Sequence, residues 1–276
     1  MDDSPTPRRQ HLAAYEVLPA MQHETDFFLS RTPMQVIVLA IIGGAFVTMG
    51  ALFSLLLSAG VTAYGPQLLL QGLGFSAGFF MIILSRAALF TEANVVLPAS
   101  YLHASPMSLP AGALRFWALA LLGNLVGAFL IGIIITFAQE YPAEIRAGLD
   151  AVVDKKMAYR EEGGLVAWLR IVVSGMLGNG LIGMAAFFAT MANTLIGKYI
   201  PVFLVVSLFV AGNLQHSPAN MGYFSLSMAG GGGPGWVEAF WWNIIPAGIG
   251  NLLGGTLLVA LPFWYALGSA PLKNRT

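Results

Sequence analysis

Three ionisable side chains interrupt the most apolar parts of this sequence: Arg86, Glu92 and His216. Ionisable groups inside a membrane are rare and costly, and by default they mark ion paths or proton relays. Histidine has an ordinary pKa of about 6.5, so it exchanges a proton close to neutral pH. The chemistry that these residues predict is the transfer of protons or the electrostatic attraction of small ions.

His216 stands in the stretch "VAGNLQHSPANMGYF", which is too polar for the middle of a bilayer. One interpretation is a neutral imidazole that is hydrogen-bonded within the helix packing. Another, which we favour, is a proton donor or electrostatic attractor that lines a path; a third is a metal ligand. The chain has four histidines and no cysteine, and no other histidine is placed to complete a coordination shell. We therefore predict neither a metal nor a cofactor.

A second polar stretch, "LFTEANVVLPASY", contains Glu92 and begins shortly after Arg86. We predict that these two side chains form a buried charge pair that fixes the loop, with a proton relay through Glu92 as the alternative. Asn179 lies in the small-residue segment "GMLGNGLIG", where its amide needs a partner because an unpaired polar group is costly in apolar surroundings. Two roles stay open for Asn179: holding a broken helix together, or lining a pore.

The composition places these residues in a membrane protein. Of 276 residues, 57% are hydrophobic and only 9% are charged, whereas a soluble domain is about 25% charged. The formal net charge is zero and long basic runs are absent from the sequence, which argues against a nucleic-acid partner. We predict an all-α polytopic protein that is surrounded by a lipid bilayer.

Six stretches are apolar and long enough to cross a bilayer, which takes about 20 residues. The second and fifth run directly into the polar stretches described above, which predicts two broken helices. Such breaks are tolerated only where the backbone is buried in protein or lines a wet cavity. The predicted spans are 34–60, 67–90, 111–138, 164–192, 195–214 and 236–266.

The remaining segments are predicted to lie outside the bilayer. Residues 1–31 are predicted to form a cytoplasmic tail with a short amphipathic helix, 32–268 the transmembrane pore domain, and 269–276 a second cytoplasmic tail. Segment 139–163 mixes acids and bases, which predicts a solvated loop. The distribution of lysine and arginine slightly favours both termini inside, so we expect a multi-pass protein of the cell's inner membrane.

An internal repeat relates the two halves of the chain. The sequence "GNLVGAFL" (Gly123–Leu130) returns as "GNLLGGTLL" (Gly250–Leu258), and "LFTEAN" returns as "LQHSPAN" at nearly the same separation. Each half contains three predicted spans, so the second half enters the membrane upside down. In inverted repeats of this kind the substrate path lies at the repeat interface and is formed by the broken helices.

The two breaks and their neighbouring helices resemble the formate/nitrite transporter family. The similarity is carried by "LFT" in the first break, "FVAGNLQHSPANM" in the second, a "GN" in the fourth span and "NIIPAGIGNLLGG" in the sixth. The resemblance implies an aquaporin-like fold, a homopentamer with one pore in each protomer, and transport of small monovalent anions or their weak acids, such as formate or nitrite, with protons. It implies a transporter and no enzyme.

The resemblance also assigns residues to the pore. The family's central histidine falls on His216, the threonine of the first break on Thr91, the asparagine of the fourth span on Asn179, and the asparagine of the second break on Asn220. Its apolar constrictions fall on Phe75, Phe79, Leu89, Phe90 and Phe209.

Three departures from the family leave the substrate open. Gln215 replaces a residue that is commonly glutamate in the formate branch, Ala88 replaces one that is often acidic, and Pro218 follows the His-Ser pair. A structural or regulatory membrane protein with a closed pore is one alternative. A neutral-solute channel is another, although neither break carries the Asn-Pro-Ala motif of aquaporins. A membrane enzyme is disfavoured, because no nucleophile–base set is visible in the sequence.

Overall fold

The computed structural model describes residues 9–102 and 112–268, and in these ranges the secondary structure is helical with no β-strand. The predicted C-terminal tail, 269–276, and the first eight residues of the predicted N-terminal tail lie outside the described residues. The helices are α1 (Ala14–Leu29), α2 (Pro33–Ser58), α3 (Tyr64–Ser85), α4 (Phe90–Leu102), α5 (Ala113–Ala138), α6 (Ala143–Glu162), α7 (Gly164–Met191), α8 (Leu195–Ala211), α9 (Ser217–Ala229) and α10 (Trp236–Leu267).

All six predicted spans coincide with helices. Within the described residues, five helices are long and apolar enough to cross a membrane: α2, α3, α5, α7 and α10. The sixth, α8, has 17 residues and is shorter. Helix α10 contains π-helical turns at Phe240–Ile244, Gly255–Ala260 and Trp264–Gly268, and such turns often occur at functional sites.

The second and fifth spans are broken, as the sequence predicts. Helix α3 ends at Ser85, the next residue, Arg86, is left-handed with φ 56°, and α4 begins at Phe90. Helix α8 ends before a left-handed Asn213 with φ 47°, and α9 then begins at Ser217. Left-handed residues other than glycine are uncommon, and here each one turns the chain out of its helix.

The backbone freed at the first break is held by Asn124 of α5. Its Oδ1 accepts a hydrogen bond from the Phe90 amide at 3.0 Å. Its Nδ2 donates to the carbonyl oxygens of Ala88 at 2.9 Å and Ala40 at 2.8 Å. Because the side chain is fully buried, these bonds replace the helical bonds that the break removes.

The second break is held in the same way by Asn251 of α10. Its Oδ1 accepts from the Ser217 amide at 2.8 Å, and its Nδ2 donates to the carbonyls of Gln215 at 3.1 Å and Gly175 at 2.9 Å. Asn124 and Asn251 are the asparagines of the repeated "GNL" segments. They act at equivalent positions of the two breaks, which confirms the inverted repeat.

Two further helices lie at opposite ends of the spans. Helix α1 packs against α4 and α7; Thr25 Oγ1, for example, donates to the Val96 carbonyl at 3.0 Å. The amide of Leu12, just before α1, donates a hydrogen bond to the carbonyl of Met191, the last residue of α7. Helix α6 lies at the other end, because it directly precedes the first residue of α7. Because α7 is about 42 Å long, we call the two sides of the protein the α1 end and the α6 end.

Segment 139–163 is not the predicted loop, because most of it forms α6. The buried residues of this helix are few: Ile145, Val153, Lys156 and Met157. A helix with so little apolar surface shows almost no hydrophobic periodicity, which is why its sequence resembles a solvated loop. Its buried side chains pack against α9 and against the start of α10.

Candidate functional site

The middle of the protein contains polar side chains that are almost fully buried, with exposures of 0–2%. Within the described residues, five of these side chains have one polar atom without a hydrogen-bond partner, and both amide atoms of Asn94 also lack one; the five atoms are Thr91 Oγ1, Asn179 Oδ1, Gln215 Nε2, His216 Nε2 and Asn220 Oδ1. A buried, unsatisfied polar atom costs about 1–3 kcal/mol. Such atoms are open to hydrogen bonds with water or with a solute.

His216 caps the start of α9. Its Nδ1 accepts a hydrogen bond from the Ala219 amide at 3.3 Å. In a neutral imidazole one ring nitrogen accepts and the other carries the proton, so this bond assigns the proton to Nε2, the unpartnered atom. The second break therefore holds an N–H donor that is 2% exposed and free to bind a solute.

Two aromatic rings separate His216 from a cavity at the α6 end. The Phe209 ring lies 5.3 Å from the imidazole and 6.0 Å from the Phe75 ring, centroid to centroid. Both phenylalanines line a cavity of about 300 Å³, together with Tyr223 and Lys156. Phe209 thus lines the cavity and also lies against His216, and its role as a constriction stays a prediction.

Lys156 of α6 lines this cavity and is a residue that the sequence did not reveal. Its side chain is only 5% exposed, its Nζ donates to the Leu214 carbonyl at 2.7 Å, and Nζ lies 5.8 Å from the Phe209 ring centre. Helix α6 is outside the membrane spans, and burial lowers the pKa of Lys156 to about 7. The one signal in the sequence was its place beside Met157 and three residues after Val153, on the short apolar face of α6.

The other predicted constriction residues fall into two groups. Phe79 and Leu89 belong to the same packed cluster as Phe75 and Phe209. Phe90 belongs to a different cluster, with residues of α1, α2 and α5. Phe75, Phe79, Leu89 and Phe209 therefore share one apolar cluster, and Phe90 belongs to another.

Asn179 connects the first break to the last span. Its Nδ2 donates to the Thr91 carbonyl at 3.1 Å and to the Asn251 carbonyl at 2.7 Å, so it does hold a broken helix in place. Its Oδ1 stays unpartnered among the described residues. The bonds of Nδ2 thus account for the first role proposed for Asn179, and the second role, lining a pore, stays a prediction.

Asn220 lies in a network of buried amides behind the second break. Its Nδ2 donates to Gln215 Oε1 at 2.8 Å and to Asn243 Oδ1 at 2.6 Å. Asn243 donates in turn to Gln215 Oε1 at 3.0 Å and to the Lys156 carbonyl at 2.9 Å. The network links the loop before His216 to α6, and Asn243, in a π-helical turn of α10, is a second residue that the sequence did not single out.

The predicted charge pair between Arg86 and Glu92 is not formed. Arg86 pairs instead with Glu24 of α1, at 2.6 Å between Nη2 and Oε1. Within the described residues Glu92 takes part in no ion pair or hydrogen bond. The sequence prediction failed because it treated α1 as a solvated tail, whereas α1 packs against α4 and brings an acid to Arg86.

The three residues that depart from the family pattern, Ala88, Gln215 and Pro218, each have a clear place in the packing. Ala88 and Pro218 are buried; the Ala88 carbonyl is bound by Asn124, and Pro218 lies in the first turn of α9, where proline fits. Gln215 belongs to the amide network. Within the described residues, no group of three or more His, Cys, Asp or Glu residues is arranged to hold a metal ion.

The fold agrees with comparisons to known proteins. The sequence model described as "Formate/nitrite transporter" matches residues 15–265. The chain belongs to the formate/nitrite transporter family. Family members and similar structures are channels and transporters, so the protein is a membrane transport protein and not an enzyme.

Individual relatives are moderately similar over most of their length. The probable formate transporter of Methanothermobacter thermautotrophicus is 28% identical over 246 residues, which cover 84% of this chain and 88% of that one. The formate channel FocA of Escherichia coli K12 is 27% identical over 261 residues, covering 85% and 87%. A solved structure described as a pentameric formate channel with formate bound superposes with a TM-score of 0.71 at 22% identity, covering 85% of this chain and 97% of that one.

Proposed function

We propose that this transporter carries small monovalent anions of the formate type, together with protons, between the α6 end and the α1 end. The observation that supports it most is the unpartnered Nε2–H of His216, buried beside the Phe209 ring that closes the Lys156 cavity. A single N–H donor behind an apolar constriction suits an anion or a weak acid. The names of the relatives, formate channel and formate transporter, point to the same class of substrate.

Lys156 and the phenylalanine pair have opposite effects on an anion. Moving a bare anion into an apolar ring costs tens of kcal/mol, because its hydration is lost. The buried ammonium of Lys156 attracts the anion into the cavity, and the anion then takes a proton from water or from the imidazolium form of His216, which returns to the neutral imidazole. The neutral weak acid crosses between Phe75 and Phe209, while hydrated cations are excluded.

The other buried polar atoms act beyond this constriction. Thr91 Oγ1 at the first break and Asn179 Oδ1 on α7 are unpartnered groups and bind the solute after it has passed His216. Asn220 fixes the orientation of Gln215 through the bond to Oε1. Phe79 and Leu89 form the apolar barrier towards the α1 end.

The assembly and the orientation are also part of this proposal. We propose a homopentamer with one pore in each protomer, as the description of the similar solved structure indicates for that protein. We place the protein in the inner membrane with both termini in the cytoplasm, so that the α1 end faces the cytoplasm and the α6 end faces outwards.

The test is uptake of labelled formate, nitrite, acetate, lactate and hydrosulfide into proteoliposomes, with and without an inward proton gradient. We expect gradient-stimulated uptake of one or two of these anions, and we expect its loss in His216→Gln. The matched control is His23→Gln, which changes an exposed histidine on α1 and should transport normally.

Three outcomes would contradict the proposal. Unchanged flux in folded His216→Gln would remove the histidine from the mechanism. Uptake of no anion by folded wild-type oligomers would favour a structural or regulatory protein with a closed pore. Passage of water or glycerol instead of anions would indicate a neutral-solute channel.

A further inference from the structure

A second charged cavity lies at the α1 end, on the opposite side of the protein from Lys156. Its volume is about 330 Å³. Four charged side chains line it, Glu24, Arg86, Glu92 and Lys198, together with the hydroxyl-bearing Thr190. They come from α1, the first break, α4 and α8, so the cavity is assembled from distant parts of the chain.

The backbone and an aromatic ring hold Arg86 in place in this cavity. The residue is left-handed, with φ 56°, directly after the end of α3. Its guanidinium lies 4.5 Å from the centre of the Phe27 ring, within the range of a cation–π interaction. Its Nη2 donates to Glu24 Oε1 at 2.6 Å. Arg86 thus already holds a carboxylate with the short distance typical of charge-assisted hydrogen bonds.

Lys198 supplies further donors to the same cavity. Its Nζ donates to the Ala189 carbonyl at 2.7 Å, and an ammonium group has three donors. Because no other bond of this Nζ is formed within the described residues, donors remain for a ligand. The Glu24 carboxylate occupies the Arg86 guanidinium at rest, so an anion binds to Arg86 only after Glu24 has left it.

We propose that Arg86 and Lys198 form a binding site for a small carboxylate at the α1 end, and that the Glu24 side chain occupies this site at rest as a built-in competitor. The nature of the ligand rests on the proposed function, because a formate-type anion carries the same group as Glu24. A tethered group competes at an effective concentration in the millimolar range. The transported anion therefore binds at this end only when its concentration approaches that range.

The first experiment measures binding without transport. Labelled formate is bound to the purified, detergent-solubilised full-length protein, and its apparent Kd is compared in wild type and Glu24→Gln. Glutamine keeps the size of the side chain and removes its charge, so we expect the apparent Kd to fall about two- to tenfold once the competitor is gone. Arg86→Gln should weaken binding, and Arg86→Lys should restore part of it.

A double variant separates competition from a structural effect. If Glu24 acts only by occupying the arginine, then Glu24→Gln has no further effect in the Arg86→Gln background. Lys198→Gln gives an independent test of the site in case Arg86→Gln does not fold. The matched control is Glu16→Gln, which also removes an acid of α1 from an ion pair, here with Arg9 at 3.1 Å, and should leave the apparent Kd unchanged.

The outcomes distinguish this inference from the proposed function. An apparent Kd that is unchanged or higher in Glu24→Gln, or equally changed in Glu16→Gln, would overturn the inference even if His216-dependent transport is found. Conversely, the expected binding pattern in a protein that transports no anion would support the site and reject the proposed function. Binding of chloride with the same pattern and equal affinity would reject a carboxylate site.

Discussion

The charge of Lys156 should control how anions enter from the α6 end, and two substitutions isolate it. Lys156→Met removes the charge and keeps a long side chain, whereas Lys156→Arg carries a charge at every working pH. With Nζ 5.8 Å from the Phe209 ring, an anion at the ring gains about 3 kcal/mol at an effective dielectric constant of about 20. This corresponds to roughly a hundredfold enrichment of the anion at the constriction.

The pH dependence of uptake follows from the burial of Lys156. Because the pKa of Lys156 is lowered to about 7, the side chain is mostly charged at pH 6 and mostly neutral at pH 8. The uptake rate of Lys156→Arg, divided by that of wild type at the same pH, should rise from about one at pH 6 to roughly tenfold at pH 8. The ratio cancels the protonation of the substrate itself, which affects both proteins equally.

The assay is initial uptake of labelled formate at low concentration into proteoliposomes, with the α6 end outside. Lys155→Met is the matched control, because Lys155 lines the same cavity but is exposed. Since salt screens an exposed charge, this substitution should change the uptake rate by less than about twofold. A ratio that stays constant from pH 6 to pH 8, or unchanged uptake in Lys156→Met, would refute the role of this charge.

Two predictions concern the breaks and the helix crossings. Asn251→Ala and Asn124→Ala each remove hydrogen bonds to buried backbone groups, so each should lower the free energy of unfolding by about 2–4 kcal/mol. The measurement is the melting temperature in detergent, which should fall in both variants. A stability equal to that of wild type would contradict the role of these side chains. Gly127→Ala places a Cβ at 2.0 Å from the Ile41 carbonyl oxygen and should lower the free energy of unfolding by about 1–3 kcal/mol. The control is Gly65→Ala, where the added Cβ meets nothing within 4 Å; this variant should be as stable as wild type or more stable.

Much of the fold could be predicted from the sequence because a bilayer restricts what a chain can do. Apolar length identified the spans, and the polar stretches identified the breaks, since water cannot satisfy a free backbone there. The repeated "GNL" segments indicated the symmetry. The exact role of Asn124 and Asn251 was hidden, because a sequence does not show which carbonyls a side chain reaches.

The site was only partly predictable, for a different reason. His216 stood out because it lies in a short polar stretch between two apolar segments. Lys156 did not, because the elements that bury it come from the loop before His216 and from α10, far away along the chain. The same long-range packing misled the assignment of Arg86, whose partner Glu24 lies on a helix that amphipathic composition alone cannot position.

The two broken helices also determine the electrical profile of the path. Helices α4 and α9 both begin at the breaks, so both present the positive ends of their dipoles, about half a charge each, to the middle of the membrane from opposite directions. The electrostatic potential at the centre is therefore nearly the same for a solute that arrives from either side. The two ends differ, because one has the buried Lys156 and the other has Arg86 paired with Glu24. Any difference between influx and efflux in the solute concentration that saturates transport should therefore originate at the two entrances.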